Sequence, residues 1–238
     1  MKIIALESSA VTASVAVTED ERLLAQSFQN SGLTHSATLM PMVSALLKNT
    51  GLTLDEMDVV AVAAGPGSFT GVRIGVAAAK GLAWPGDKPC APCSTLEAMA
   101  WQCAHVEGEI CAAMDARRNQ VYCARFWAED GALTRLTPDR AMGLDGLADE
   151  VRASDLPQIL VGDGAHLVRA ALVEQGLPCS TMPPHLIYQT AWGVARCALR
   201  IAREGQLVSA AAMAPSYHRL SQAERERLER EGQGRPFS

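Results

Sequence analysis

Aromatic residues are scarce, 5% of the 238, so aliphatic side chains must build the core and a nucleic-acid surface of stacking rings is not expected. Basic charge is not in excess either. The net charge is −5 and the pI about 5.6, which disfavours attraction to a polyanion, so any RNA is expected to be held by another subunit. No apolar run approaches the roughly 18 residues of a membrane span, and one lysine and four apolar residues leading straight into Glu7 do not make a signal peptide. Seven scattered cysteines, an odd count, speak against a disulfide framework, so a reduced, cytoplasmic setting is expected. A lone Cys90-x-x-Cys93 without a second pair is no recognisable zinc or redox motif. The length suggests about one to two domains.

What is present is organised around the stretch from Asp58 to Gly86. Residues 59–64 form a continuous apolar run without alternation, the pattern of a central strand covered on both faces. Gly65-Pro66-Gly67 ends it, because Pro66 cannot donate to a ladder and the glycines tolerate close approach. Ser68 and Thr70 are good N-caps, and residues 71–83 carry small and aliphatic side chains at helical spacing. An anion site built from Gly65, Gly67, Ser68 and the fork of Arg73 is one reading. The spacing fits neither G-x-x-x-x-G-K-[ST] nor G-x-G-x-x-G, so a tight strand-to-helix turn is an equal one. Gly71, Gly75 and Ala79 recur every fourth residue beside Ala78 and Leu82, leaving a helix face with little bulk. That face suits either the protein's own sheet or a partner's helix.

Residues 2–6, 11–18 and 23–28 read as a meander of strands opening a mixed sheet. Glu7, at the end of the first and followed by Ser8 and Ser9, could hold a metal-bound water or a phosphate through Mg²⁺, or be a solvated turn acid. Residues 34–50 carry Leu39, Met42, Val43, Leu46 and Leu47 on one helical stripe ended by Gly51, with Pro41 marking a kink or a start. His35 precedes the stripe, and Leu39 four residues on makes it a cap or contact residue rather than half of a metal pair. Ser94-Thr95-Leu96-Glu97 is a capping box opening a helix to about Ala104.

Near Glu107 the pattern restarts. Residues 110–114 end in Asp115, a turn follows at 117–120, and 121–127 is a strand; residues 158–161 then run into Gly162-Asp163-Gly164 and a helix at 165–175. The repeated order predicts duplicated α/β domains at 1–106 and, smaller, 107–188. Residues 189–238 hold a helix at 189–203, expected to pack back on the first domain, and a charged tail at 221–231.

Two α/β halves, each opening with strand, acidic turn and strand, resemble the actin-like ATPase and sugar kinase superfamily. That implies two tandem actin-like (ribonuclease H-like) domains, each a mixed sheet flanked by helices. Within it, residues 65–75 (GPGSFTGVRIG) with 79–83 (AKGLA) are similar to the signature of the TsaB family. Residues 6–9, 35–36, 39–41, 114–117, 121–122, 161–165 and 215–217 with Arg219 support it. Glu7-Ser8-Ser9 stands where Asp-Thr-Ser is usual, Gln120 where Glu is, and His218 where Leu is.

The resemblance implies a non-catalytic subunit without a cofactor of its own. It would support TsaD in transferring a threonylcarbamoyl group to the adenosine next to the anticodon. Pairing with TsaD through the helices of the first domain, TsaE joining the assembly, a homodimer when alone and only indirect contact with tRNA follow from it, with no membrane. His35, Leu39, Met42, Val43, Leu46, Gly71, Ile74, Gly75, Ala78 and Leu82 are then the partner interface. Glu7, Ser8, Gly65, Gly67, Ser68, Arg73, Gly162 and Asp163 are the residues for a vestigial nucleotide site, with ATP or ADP at the boundary with the partner left open. TsaD resembles a metalloenzyme with a His-x-x-x-His pair, which His35 and Leu39 do not supply, so no catalytic or metal residue is expected. One alternative is an actin-like ATPase or small-molecule kinase binding Mg-ATP through Glu7, Ser8, the Gly65 loop and Gly162-Asp163-Gly164. The other is a metallopeptidase, for which His35, His105, His166, His185 and His218 show no ligand spacing.

Overall fold

The computed structural model describes residues 1–217, so the charged tail at 221–231, with His218 and Arg219, lies outside the described residues. β1 (Lys2–Glu7), β2 (Ala13–Glu19) and β3 (Arg22–Gln29) pair antiparallel in chain order. α1 (His35–Thr50) leads to β4 (Val59–Gly65), which lies parallel to β1, and α2 (Phe69–Ala83) leads to β5 (Cys90–Ser94), parallel to β4. α1 runs uninterrupted through the exposed Pro41 rather than starting there. The sheet order is β3-β2-β1-β4-β5.

α3 (Thr95–Trp101) enters the second lobe, where β6 (Gly108–Arg117), β7 (Gln120–Glu129) and β8 (Ala132–Arg135) repeat the meander. β9 (Arg140–Gly143) pairs with the first half of β7. α4 (Leu144–Ser154) leads to β10 (Gln158–Val161), parallel to β6, and α5 (Ala165–Glu174) to β11 (Cys179–Thr181), parallel to β10. The order β8-β7-β6-β10-β11 repeats the first sheet strand for strand. α6 (Ala191–Arg203) then returns to cover the first sheet.

Both faces of the first sheet are covered, which is why β4 has no polar residue. Ile4, Leu6, Val60 and Val62 pack toward α1 and α2, whereas Ile3, Ala5, Ala61 and Ala63 pack toward α6. Cys90 and Cys93 are core side chains of β5. Every residue of α3 is buried, because the helix is shared: Leu96 and Met99 join the core of the second lobe, and Ala98 and Trp101 the core of the first. Gly193 of α6 has no room for a Cβ, since the Ala98 carbonyl of α3 fills that space.

The capping box of α3 is half present. Ser94 Oγ accepts the Glu97 N–H at 3.1 Å, but the Glu97 carboxylate does not return to the N-cap. It accepts instead from Arg135 Nη2 of β8 at 3.1 Å and Arg200 Nε of α6 at 2.8 Å, tying the lobes together. Burial pushes the Glu97 carboxyl up, but the hydrogen bonds and charges of Arg200 and then Arg135 outweigh it and leave it below the usual range. Among the described residues no helix is long and apolar enough to cross a membrane.

Candidate functional site

The loop between β4 and α2 is packed by the protein's own backbone. Gly65 ends β4 at φ +124°, and the Ser216 carbonyl occupies the place of its missing Cβ while the Ser216 N–H donates to the Ala64 carbonyl at 2.7 Å. Gly67 makes room for the Ser9 carbonyl, which accepts the Ser68 N–H at 2.6 Å. Ser68 caps α2, its Oγ accepting the Gly71 N–H at 3.4 Å. Ser8 is buried against Gly71 and Gly75, and its hydroxyl donates to the Gly71 carbonyl at 3.0 Å. Of the two readings of this loop, the tight turn is the one observed. Ser8, Gly65, Gly67 and Ser68, named as candidate phosphate contacts, here pack against the chain's own backbone at Ser9, Gly71 and Ser216.

Glu7 is neither a solvated turn acid nor an open ligand. It is fully buried, its Oε1 accepts the Ser9 N–H at 2.5 Å, and its Oε2 has no partner among the described residues. Burial pushes the carboxyl up to about 7; the bonds from Ser9 oppose this and the charge of Asp163 adds to it. Asp163 comes from the other lobe, after Gly162, whose positive φ lets the chain cross the Ala113 carbonyl of β6. Burial, then the charge of Asp115, raises Asp163 to about 6, although Gln189 Nε2 donates to its Oδ1 at 3.4 Å. The charge of Asp163 thus reaches Glu7 across the lobe boundary, and burial favours the protonated form of both. On the Gly65 loop, the Ser68 N–H is spent on the Ser9 carbonyl and the Gly71 N–H on Ser68 Oγ. Among the described residues no group of three His, Cys, Asp or Glu is arranged to hold a metal ion.

The helix stripes also need correction. Leu39, Met42, Val43, Leu46 and Leu82 are buried in the first lobe's core, and Gly71 and Gly75 face the β1–β2 turn. These seven thus offer little free surface to a partner, because the apolar stripe of each helix is covered by its own sheet and turn. His35 is half-buried, its Nε2 2.6 Å from the Ala10 carbonyl, joining α1 to the β1–β2 turn. The outward surface has Ile74 and Ala78, half-buried, with Ala77 and Gly81 on α2 and Met40, Ser44 and Ala45 on α1. Ser44, Ala45 and Ala77, which the sequence reading did not single out, sit with Met40 opposite the apolar stripes, a placement readable from the helical period.

Arg73, expected to meet phosphate, is exposed and held by aromatic rings. Its guanidinium carbon lies 3.7 Å from the Phe69 centroid and 5.7 Å from that of Tyr217, and its Nε donates to the Tyr217 hydroxyl at 2.8 Å. The two rings stack at 4.8 Å. Tyr217 is brought there by the strap that binds Ala64 and Gly65.

Two lobes of one strand order, with a glycine turn crossing the end of the first meander strand in each, define the actin-like ATPase class of α/β protein. A family model described as "TsaD: tRNA N6-adenosine threonylcarbamoyltransferase" matches residues 24–148. The "tRNA threonylcarbamoyladenosine biosynthesis protein TsaB" of Bacillus subtilis (strain 168) is 34% identical over 167 residues, 70% of this chain and 73% of the relative. The protein of that name from Haemophilus influenzae is 46% identical over 99 residues, 40% of this chain and 42% of the relative. The chain belongs to the TsaB family. The solved structure "YeaZ from Pseudomonas aeruginosa" matches with a TM-score of 0.76 and 25% identity over 91% of this chain and 99% of that one. A ROK hexokinase from Thermus thermophilus, with a TM-score of 0.50 and 14% identity over 86% of this chain and 100% of that one, shares the fold alone.

Proposed function

We propose that this chain is an accessory subunit in the formation of threonylcarbamoyladenosine in tRNA. It binds a catalytic subunit of the tRNA N6-adenosine threonylcarbamoyltransferase type, TsaD, and does not transfer the group itself. The observation that carries this reading is the Gly65 loop: where an ATPase of this class would approach a phosphate, the glycines approach the carbonyls of Ser9 and Ser216. The names of the curated relatives supply the pathway. The outward face of α1 and α2, low in bulk at Ala45, Ala77 and Ala78, suits close helix packing with TsaD, or with a second copy when the chain is alone. TsaE joins that assembly, tRNA is met through TsaD, no nucleotide is needed by this chain itself, and the setting is the cytoplasm. Reconstitution tests the reading: TsaD, TsaE, tRNA and the threonylcarbamoyl-adenylate donor are combined with and without this chain. Modification is expected only with it, and none from it alone; full modification in its absence would overturn the proposal.

A further inference from the structure

We infer that Arg73 is a preorganised carboxylate receptor at the rim of the α1–α2 face, and that the TsaD-type partner presents an acidic side chain to it. The inference rests on the partner-binding reading above. An exposed arginine ordinarily pairs weakly, because a flexible side chain must be fixed to make the bond. Arg73 is already fixed. Phe69 lies under its guanidinium at 3.7 Å, and Tyr217 takes the Nε hydrogen at 2.8 Å. Nη1 and Nη2 remain, a planar pair of donors whose geometry matches the two oxygens of a carboxylate.

No carboxylate of the described residues forms an ion pair with Arg73, although the chain carries an excess of acid. Among the described residues the counter-charge is not supplied. Arg73 and Ala77 are four residues apart, on one side of α2 and both exposed, so a helix laid along Ala77 reaches Arg73 one turn later. That continuity favours a protein side chain over a free anion. An arginine braced on aromatic rings beside small residues has the composition of an interface anchor. Tyr217 makes the C-terminal strap part of the recognition surface, since the Ser216 N–H to Ala64 carbonyl bond and the seat over Gly65 set its register.

The test is isothermal titration of the full chain into TsaD from the same organism, at low and moderate salt, with R73Q, R73K, Y217F and Y217A. Matched melting temperatures check the fold of these exposed-site variants. R73Q is expected to weaken binding at least about tenfold and to flatten its salt dependence. R73K should lose nearly as much, because an ammonium has no planar fork, and Y217A should lose more than Y217F. Failure of the wild type to bind would bring down the partner reading and this inference with it. Wild-type binding with R73Q or R73K unchanged would overturn the Arg73 assignment alone.

Discussion

Gly75 is seated on Ser8: a Cβ at residue 75 would stand 2.6 Å from Ser8 Oγ and 3.2 Å from Val62 Cγ2. A bulky residue at 75 therefore collides with the β1–β2 turn before it meets any partner. Gly75→Leu is expected to cost the monomer about 1–3 kcal/mol through overpacking, read from the urea midpoint. A variant that keeps its midpoint but loses pairing would show that the glycine faces outward after all.

The outward face behaves in the opposite way. Ala77 is exposed on α2, so Ala77→Arg should leave stability within about 0.5 kcal/mol while blocking close helix packing. Size-exclusion chromatography with TsaD, and of the chain alone, should show loss of pairing. Undiminished complex formation would move the interface elsewhere.

Glu7 carries a pH dependence whose direction follows from its burial. Its carboxyl is raised from an ordinary 4.5 to about 7, so between those values the folded chain holds a proton that the unfolded chain has released. Stability from this group falls as pH rises through that window and levels off above it; Asp163, raised from 3.8 to about 6, adds in the same direction. Glu7→Gln keeps the shape and removes the titration. Relative to wild type it should gain on the order of 2 kcal/mol between about pH 5 and 8, measured by urea unfolding. Parallel pH profiles for the two proteins would refute the burial of this charge.

Glu97 is the charge that joins the lobes. Its side chain is 8% exposed, while Arg135 and Arg200 are 32% and 38% exposed and retain contact with water. Glu97→Gln is therefore expected to cost about 1–3 kcal/mol, less than the loss of a fully buried pair. The expected signature is faster hydrogen exchange along α3 and β8; exchange confined to α6 would place the coupling on Arg200 alone.

The apolar run of β4, the glycine turns and the duplicated order were legible in the sequence because each is a local pattern with a fixed period. Which neighbour covers a patterned face was not. Leu39, Met42, Val43 and Leu46 announce a buried stripe, yet nothing local distinguishes the chain's own sheet from a partner. The four-residue spacing of Gly71 and Gly75 has the same ambiguity, resolved only by Ser8, which lies 63 residues from Gly71. Arg73 meets Tyr217 across 144 residues, beyond any spacing rule. Glu97 satisfied the capping pattern and was drawn away by two arginines from other elements. The burial of Glu7 was hidden because its polar neighbours read as a turn.

The crossing of Gly67 by the Ser9 carbonyl turns this loop into a narrow passage for the chain. Any side chain there would pry the strand ends apart, so steric fit within the fold by itself demands a glycine at 67.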